Sequence, residues 1–101
     1  MKVLCLGRKG DGRSAVLSYL LKQRGHDAIA VGMRCMGRDT RKMMLDWAEM
    51  IILLHNKCGE GVPKEYWKKM KIWEVGPARE PTGLDQELVK LFEDHIKWDN
   101  L

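Results

Sequence analysis

The chain has 101 residues, 45% of them hydrophobic and 32% charged, and a formal net charge of +4. This length allows one small domain whose core needs no disulfides, and the short apolar runs exclude a membrane span, which needs ~20 residues. The start of the chain has no signal-peptide pattern, and its three cysteines show no paired spacing, so we expect a cytoplasmic protein.

The first half of the chain alternates short apolar runs with helical patterns. Residues 3–6 predict a first strand, and residues 14–24 predict a helix that Gly25 ends. Residues 28–31 predict a second strand. The apolar side chains of the predicted helix share one face: Val16, Leu17, Leu20 and Leu21.

The next elements follow the same alternation. Asp39 or Thr40 can cap a helix that runs to Trp47, and residues 50–54 predict a third strand. A turn rich in glycine and proline comes next, and a short helix is predicted around Tyr66 and Trp67.

The end of the chain predicts one more strand and one more helix. Residues 72–75 form the fourth predicted strand, and the loop GPAREPTG follows it. Thr82 with Asp85 resembles a capping box at the start of the last helix. The apolar face of this helix is predicted to contain Leu84, Leu88, Leu91, Phe92 and Ile96.

Strands that alternate with helices indicate an α/β fold, here a small three-layer sandwich with a four-stranded parallel sheet. The chain has no internal repeat and no long linker, so we expect a single domain over residues 1–101. Ligands of such folds bind beyond the carboxyl ends of the strands.

Positive charge is concentrated at this edge of the predicted sheet. Residues 1–42 hold ten Lys or Arg against three acids, a net charge of +7, whereas residues 43–101 hold eight against eleven, a net charge of −3. Such a bias attracts anions. The cations follow the first two strands: Arg8, Lys9 and Arg13 after the first, and Arg34, Arg38 and Arg41 after the second.

The loop CLGRKGDGRS, residues 5–14, has the composition of a phosphate cradle. Residues 7–14 have the spacing of a nucleoside triphosphate loop with Arg13 in place of its lysine, but no acid follows the third strand to hold magnesium. Residues 10–15 fit a dinucleotide fingerprint, although Arg34 stands where that fold has an acid. We predict that an anionic ligand is held by Gly7, Arg8, Lys9, Gly10, Gly12, Arg13, Ser14 and Arg34.

Several segments in chain order resemble the low-molecular-weight protein tyrosine phosphatase superfamily, especially its compact bacterial and phage relatives. They are VLCLG leading to RSAVLSYLLKQRGHDAIAVG, then LDWAEMIILL, VPKEYWKKMKIWEVGP and LDQELVKLF. Together they cover most of the chain. The resemblance implies a phosphatase-like fold and a phosphate loop at the first strand.

The resemblance also implies roles for single residues. Cys5 would attack phosphorus, Arg13 would hold the phosphate oxygens, and Ser14 would assist the thiolate. The family spaces five residues between its cysteine and arginine, whereas seven separate Cys5 from Arg13, so the loop is enlarged. The family's general acid is an aspartate after the last strand, and the candidates at that place are Glu74, Glu80 and Asp85.

Two interpretations of Cys5 follow from the residues themselves. A thiol near a helix N-terminus and an arginine has a lowered pKa and becomes a nucleophile. Cys5 also alternates with Leu4 and Leu6 as a small core residue would.

Two functions are therefore predicted. One is a cysteine-dependent phosphomonoesterase acting on phosphotyrosine or a small phosphate ester, and the other is a catalytically silent module that binds a nucleotide or phosphorylated ligand. We expect a phosphorylated small molecule or a phosphoprotein as partner, with no membrane partner, no cofactor and no metal site. A third function, a basic module for nucleic acid or a protein partner, ranks last, and the arginine cluster lacks the interleaved aromatic residues of a single-strand binder.

Overall fold

The computed structural model describes residues 1–7, 12–32, 34, 36–54, 62–73 and 86–101. Its strands are β1 (Lys2–Gly7), β2 (Asp27–Gly32), β3 (Met50–Leu53) and β4 (Met70–Ile72). They form a four-stranded sheet in the order β2-β1-β3-β4, and all neighbours are parallel. The predicted α/β class and four-stranded parallel sheet are confirmed.

Helices cover both faces of this sheet. They are α1 (Gly12–Gln23), α2 (Arg38–Trp47), α3 (Gln86–Trp98) and a 3₁₀ helix (Lys64–Lys69). Residues of α1 and α3 share one hydrophobic core with the sheet, whereas residues of α2 and the 3₁₀ helix share another. Among the described helices, none has the length and apolar character that crossing a bilayer would require.

Strand β1 lies between β2 and β3 and is buried on both faces. Val3 and Cys5 belong to the core beneath α1 and α3, while Leu4 and Leu6 belong to the core beneath α2. All four side chains are fully buried. A central strand of a parallel sheet has this uninterrupted apolar run because helices cover it from both sides.

Helices α1 and α3 differ in how well their buried faces match the sequence pattern. In α1 the four predicted apolar side chains are all buried. In α3 the buried residues, Leu88, Phe92 and Ile96, repeat every four positions, and Leu91 is exposed. The prediction that Leu91 belongs to this face is wrong, since a strict four-residue repeat already fills the stripe that contacts α1 and the sheet.

Two element boundaries also differ from the prediction. The N-cap of α2 is Gly37, so neither Asp39 nor Thr40 caps this helix, and Asp39 lies within its first turn. Strand β4 begins at Met70 rather than at residue 72, because Met70 pairs with Ile51 directly after the 3₁₀ helix. The predicted capping box of Thr82 and Asp85 lies outside the described residues.

Candidate functional site

The predicted phosphate loop connects β1 to α1 at the point where the winding of the sheet reverses. The chain leaves β1 through α1 to reach β2 on one side, and it later passes through α2 to reach β3 on the other side. Parallel α/β sheets bind ligands at such a switch point, beyond the carboxyl ends of the strands. β1 ends at Gly7 and α1 begins at Gly12, so both ends of the loop lie at this edge.

The first turn of α1 contains two buried polar residues. Arg13 is 3% exposed, Ser14 is fully buried, and both take part in interactions. A buried guanidinium is unusual because arginine keeps its charge and a charge is costly to remove from water without partners. The first turn of α1 contains no acidic residue. The partial positive charge at the N-terminus of α1 is therefore not neutralised by an acidic side chain of the same turn.

The other predicted ligand-binding residues fall into two groups. Gly7 is buried at the end of β1, Gly12 is half-buried, and Arg34 is exposed beyond the end of β2. The structure thus brings Gly7, Gly12, Arg13 and Ser14 to one junction. Arg34 follows a neighbouring strand at the same edge of the sheet. Arg8, Lys9 and Gly10 lie outside the described residues, as do the three candidate general acids, Glu74, Glu80 and Asp85.

Cys5 lies within β1, two residues before its end. It pairs with Ala30 on β2 and Ile52 on β3, and its side chain is fully buried in the core beneath α1 and α3. Burial raises the pKa of the Cys5 thiol to about 12, although the charge of Lys22 acts weakly in the opposite direction. A thiol in this state is protonated at neutral pH, which counts against a nucleophile. The role of Cys5 in catalysis stays a prediction.

A second polar site lies between α2 and the 3₁₀ helix. The hydroxyl of Tyr66 donates to Oδ1 of Asp46 over 2.5 Å, and Nζ of Lys42 donates to Oδ2 of the same carboxylate over 2.9 Å. These two hydrogen bonds, that of Tyr66 first, hold the pKa of Asp46 below its ordinary value. Asp46 in turn raises the pKa of Tyr66. This network fixes the 3₁₀ helix against α2.

The two helices enclose a cavity of about 250 Å³, which we call the α2 groove. Sequence reasoning singled out Arg38 and Arg41 but missed Tyr66. The spacing of residues 38, 41 and 42 on one helical face was a readable signal. No sequence signal indicated that this face contacts Tyr66, because the contact joins two elements that are separated in the chain. The α2 groove is lined by Arg38, Asp39, Arg41, Lys42, Leu45, Pro63, Glu65 and Tyr66.

Comparisons of the chain with protein-family models, with curated proteins and with solved structures found no match.

Proposed function

We propose that this chain is a phosphate-binding domain, similar to low-molecular-weight protein tyrosine phosphatases, that holds a phosphorylated ligand without hydrolysing it. The observation that carries the proposal is the buried Arg13 in the first turn of α1, next to the switch point of the sheet. The ligand's phosphoryl group would lie between this turn and the end of β1.

Arg13 suits a phosphate for two physical reasons. Its guanidinium has five N–H donors in a planar fork, which matches two phosphate oxygens at once. Its permanent charge is costly to keep buried without partners, and a bound anion would offset part of that cost. Arg13 and Ser14 each already take part in an interaction within the protein, so a bound phosphate would add to these interactions.

The helix terminus alone would not hold a ligand. A charge near a helix end gains roughly 0.3 to 2 kcal/mol, whereas millimolar affinity needs about 4 kcal/mol. The guanidinium and the backbone amides at the start of α1 must supply the difference. Backbone amides at a helix N-terminus commonly bind phosphate in this way.

The absence of hydrolysis is supported by the spacing of the loop and by the state of the thiol. Six positions before Arg13, with five residues between them as between the phosphatase cysteine and arginine, the chain has Gly7, which is the last residue of β1. Glycine has no side chain that could attack phosphorus. Cys5 lies two residues further back, buried and with a raised pKa. Both observations favour the silent module over the phosphomonoesterase.

The proposal is tested by titrating the wild-type protein with inorganic phosphate at constant ionic strength. We expect the melting temperature to rise, because a ligand that binds only the folded state stabilises it by mass action. Backbone amide resonances of residues 12–15 should shift saturably in NMR spectra, whereas chloride at equal ionic strength should leave them unchanged. Failure of phosphate to move these resonances would disprove the site.

Variants separate binding from catalysis. Arg13→Lys keeps the charge but loses the planar fork, so phosphate affinity should fall about tenfold, the equivalent of one lost charged hydrogen bond. Arg24→Lys, at an exposed position, is the matched control and should not change affinity. Cys5→Ser should keep phosphate binding, and p-nitrophenyl phosphate should not be turned over. Turnover that disappears in Cys5→Ser would overturn the silent module in favour of the phosphomonoesterase.

A further inference from the structure

The α2 groove lies on the opposite face of the sheet from α1. Its buried wall is formed by Leu45, which is 1% exposed, and Tyr66, which is 6% exposed, and Pro63 extends this apolar surface. Arg38, Arg41 and Lys42 line the same cavity from the first two turns of α2. An apolar wall beside positive side chains suits a ligand with an apolar body and an anionic group.

The charge of this face decides the sign of the ligand. The sequences of α2 and the 3₁₀ helix contain six Lys or Arg against three acids, a net charge of +3. The two helices of the other face, α1 and α3, contain four against three, a net charge of +1. Asp39 and Glu65 also line the groove, so its lining has three cations against two carboxylates. Excess positive potential on the α2 face attracts an anion.

The N-terminus of α2 adds to this potential at the same place. Gly37, its N-cap, has no side chain to accept from the first amides, and the first two helical residues, Arg38 and Asp39, line the groove. The positive end of the helix dipole is therefore adjacent to the cavity.

The volume of the groove limits the size of its ligand. Pockets for drug-sized molecules measure roughly 300 to 1,000 Å³, and this cavity of about 250 Å³ is smaller. One ring with one small charged group fits such a space. A cavity of this size encloses a free small molecule more readily than a peptide segment.

We propose that the α2 groove is a binding site for a small aromatic carboxylate, with the ring against Leu45 and Tyr66 and the carboxylate near Arg38 and Arg41. This site is independent of the phosphate site at α1, because it uses other residues on the other face of the sheet.

Three probes separate the contributions of ring and charge. Benzoate has both, benzyl alcohol has the ring alone, and acetate has the charge alone. In NMR titrations we expect benzoate to shift the amides of residues 38–42 and 66 saturably, with a dissociation constant on the order of 1 mM. Benzyl alcohol and acetate should each bind at least about tenfold more weakly, since each lacks one of the two recognised groups. Equal binding of benzoate and benzyl alcohol would refute recognition of the anion.

A pair of variants tests the position of the anion. Arg38→Gln removes a cation that lines the groove, whereas Lys68→Gln removes a cation of the same face that does not line it. Both side chains are exposed, so both variants should fold. Benzoate affinity should fall at least about fivefold in Arg38→Gln and less than about twofold in Lys68→Gln, because only the first loses a direct contact. Equal losses of affinity would mean that benzoate responds only to the overall positive charge of the α2 face, and this would overturn the site.

Competition keeps this result separate from the phosphate site. Benzoate shifts should persist in saturating phosphate, and they should appear even if phosphate does not bind at α1. Shifts that phosphate abolishes would contradict an independent site. Binding of a carboxylate-bearing aromatic peptide more tightly than benzoate would overturn the small-molecule ligand in favour of a peptide.

Discussion

His26 and Leu101 lie next to each other at the ends of two helices, with Nε2 of His26 3.3 Å from the carbonyl oxygen of Leu101. Both helices end in the same way. Each helix is followed by a residue with positive φ, Gly25 (89°) after α1 and Asn100 (56°) after α3. The N–H of this residue donates to the carbonyl three residues before it, and the N–H of the next residue donates to the carbonyl five residues before itself. These are the two hydrogen bonds of the Schellman motif. The contact therefore joins two helix termini that are 75 positions apart in the chain.

The sign of φ should decide how glycine substitutions affect stability. An added Cβ at Gly25 or at Gly37 would meet no described atom within 4 Å, but Gly25 has φ 89° and Gly37 has φ −69°. We expect Gly25→Ala to lower the free energy of unfolding by about 1 to 2 kcal/mol through backbone strain alone. Gly37→Ala, the control, should change it by less than about 0.5 kcal/mol. Urea denaturation of the two variants measures this, and equal losses would contradict it.

Alkaline pH should weaken the fold through Cys5. Its folded pKa of about 12 exceeds the ordinary value of 9.0, so the unfolded chain loses the thiol proton first as pH rises. Stability from this group is complete below pH 9 and then falls by at most about 1.4 kcal/mol per pH unit. Cys5→Ala removes the titration, so the wild type should lose its stability advantage over this variant as pH increases.

The comparison is made by urea denaturation at several pH values from neutral to alkaline. At pH 7 the wild type should be more stable than Cys5→Ala by about 1 kcal/mol, the contribution of one small buried group. Other titrating groups are common to both proteins and cancel in the difference. A constant difference across the alkaline range would show that Cys5 keeps its ordinary pKa.

The sequence predicted those parts of the fold that depend on neighbouring residues. Four apolar positions of α1 lie on one face, and Gly25 ends that helix, because a helical repeat and a left-handed turn are local properties. The start of β4 does not depend on neighbouring residues alone. Met70 becomes a strand residue through its pairing with Ile51. Trp73, just beyond the strand, still donates its backbone N–H to the carbonyl of Leu53, while its side chain contributes to the core.

The sequence predicted at which junction the candidate site lies, but not how the side chains there are packed. A strand, a glycine-rich loop and a helix start indicated the junction where Arg13 and Ser14 are buried. Alternation along β1 left two interpretations of Cys5, since it does not reveal which helices cover each face. Only the tertiary packing of α1 and α3 against the sheet places this thiol in a closed core. The α2 groove depends in the same way on a contact between two separate helices.

The hydrogen bond between Tyr66 and Asp46 should stabilise the fold over a defined pH window. The pKa of Asp46 is lowered below its ordinary 3.8, so its contribution is present above that value and is lost as pH falls through the folded pKa. The pKa of Tyr66 is raised above its ordinary 10.0, so the donated proton is lost only at still higher pH. The coupling of the two side chains should therefore be constant from about pH 5 to 9 and decrease outside this range.

A double-mutant cycle with Tyr66→Phe and Asp46→Ala measures this coupling. Each single variant should lower the melting temperature by a few degrees at pH 7, and the double variant should lower it by less than the sum. Lys42→Gln is the control and should have a smaller effect, because the side chains of Lys42 and Asp46 are 69% and 52% exposed. Additive losses at pH 7 would show that the hydrogen bond contributes nothing.

Trp73 should contribute more to stability than any exposed tryptophan, because it joins the end of β4 to α3. Its side chain is 2% exposed, its ring stacks on His95 with centroids 4.9 Å apart, and its Nε1 donates to Oδ2 of Asp99 over 2.8 Å. Lys71 also contacts Asp99, over 3.4 Å, so this carboxylate keeps a cation when the indole is removed. The main loss on truncation should therefore come from the core.

We expect Trp73→Ala to lower the free energy of unfolding by about 3 to 5 kcal/mol, as large cavities in cores do. Trp73→Phe should cost about 1 to 2 kcal/mol, because it keeps most of the apolar volume but loses the donor. Trp98→Ala, on α3, is the control; its side chain is 69% exposed, and the loss should stay below about 1 kcal/mol. Urea denaturation gives the three values, and hydrogen exchange should show the amides of α3 losing protection in Trp73→Ala but not in Trp98→Ala. Similar losses in the two alanine variants would mean that Trp73 does not attach α3 to the sheet.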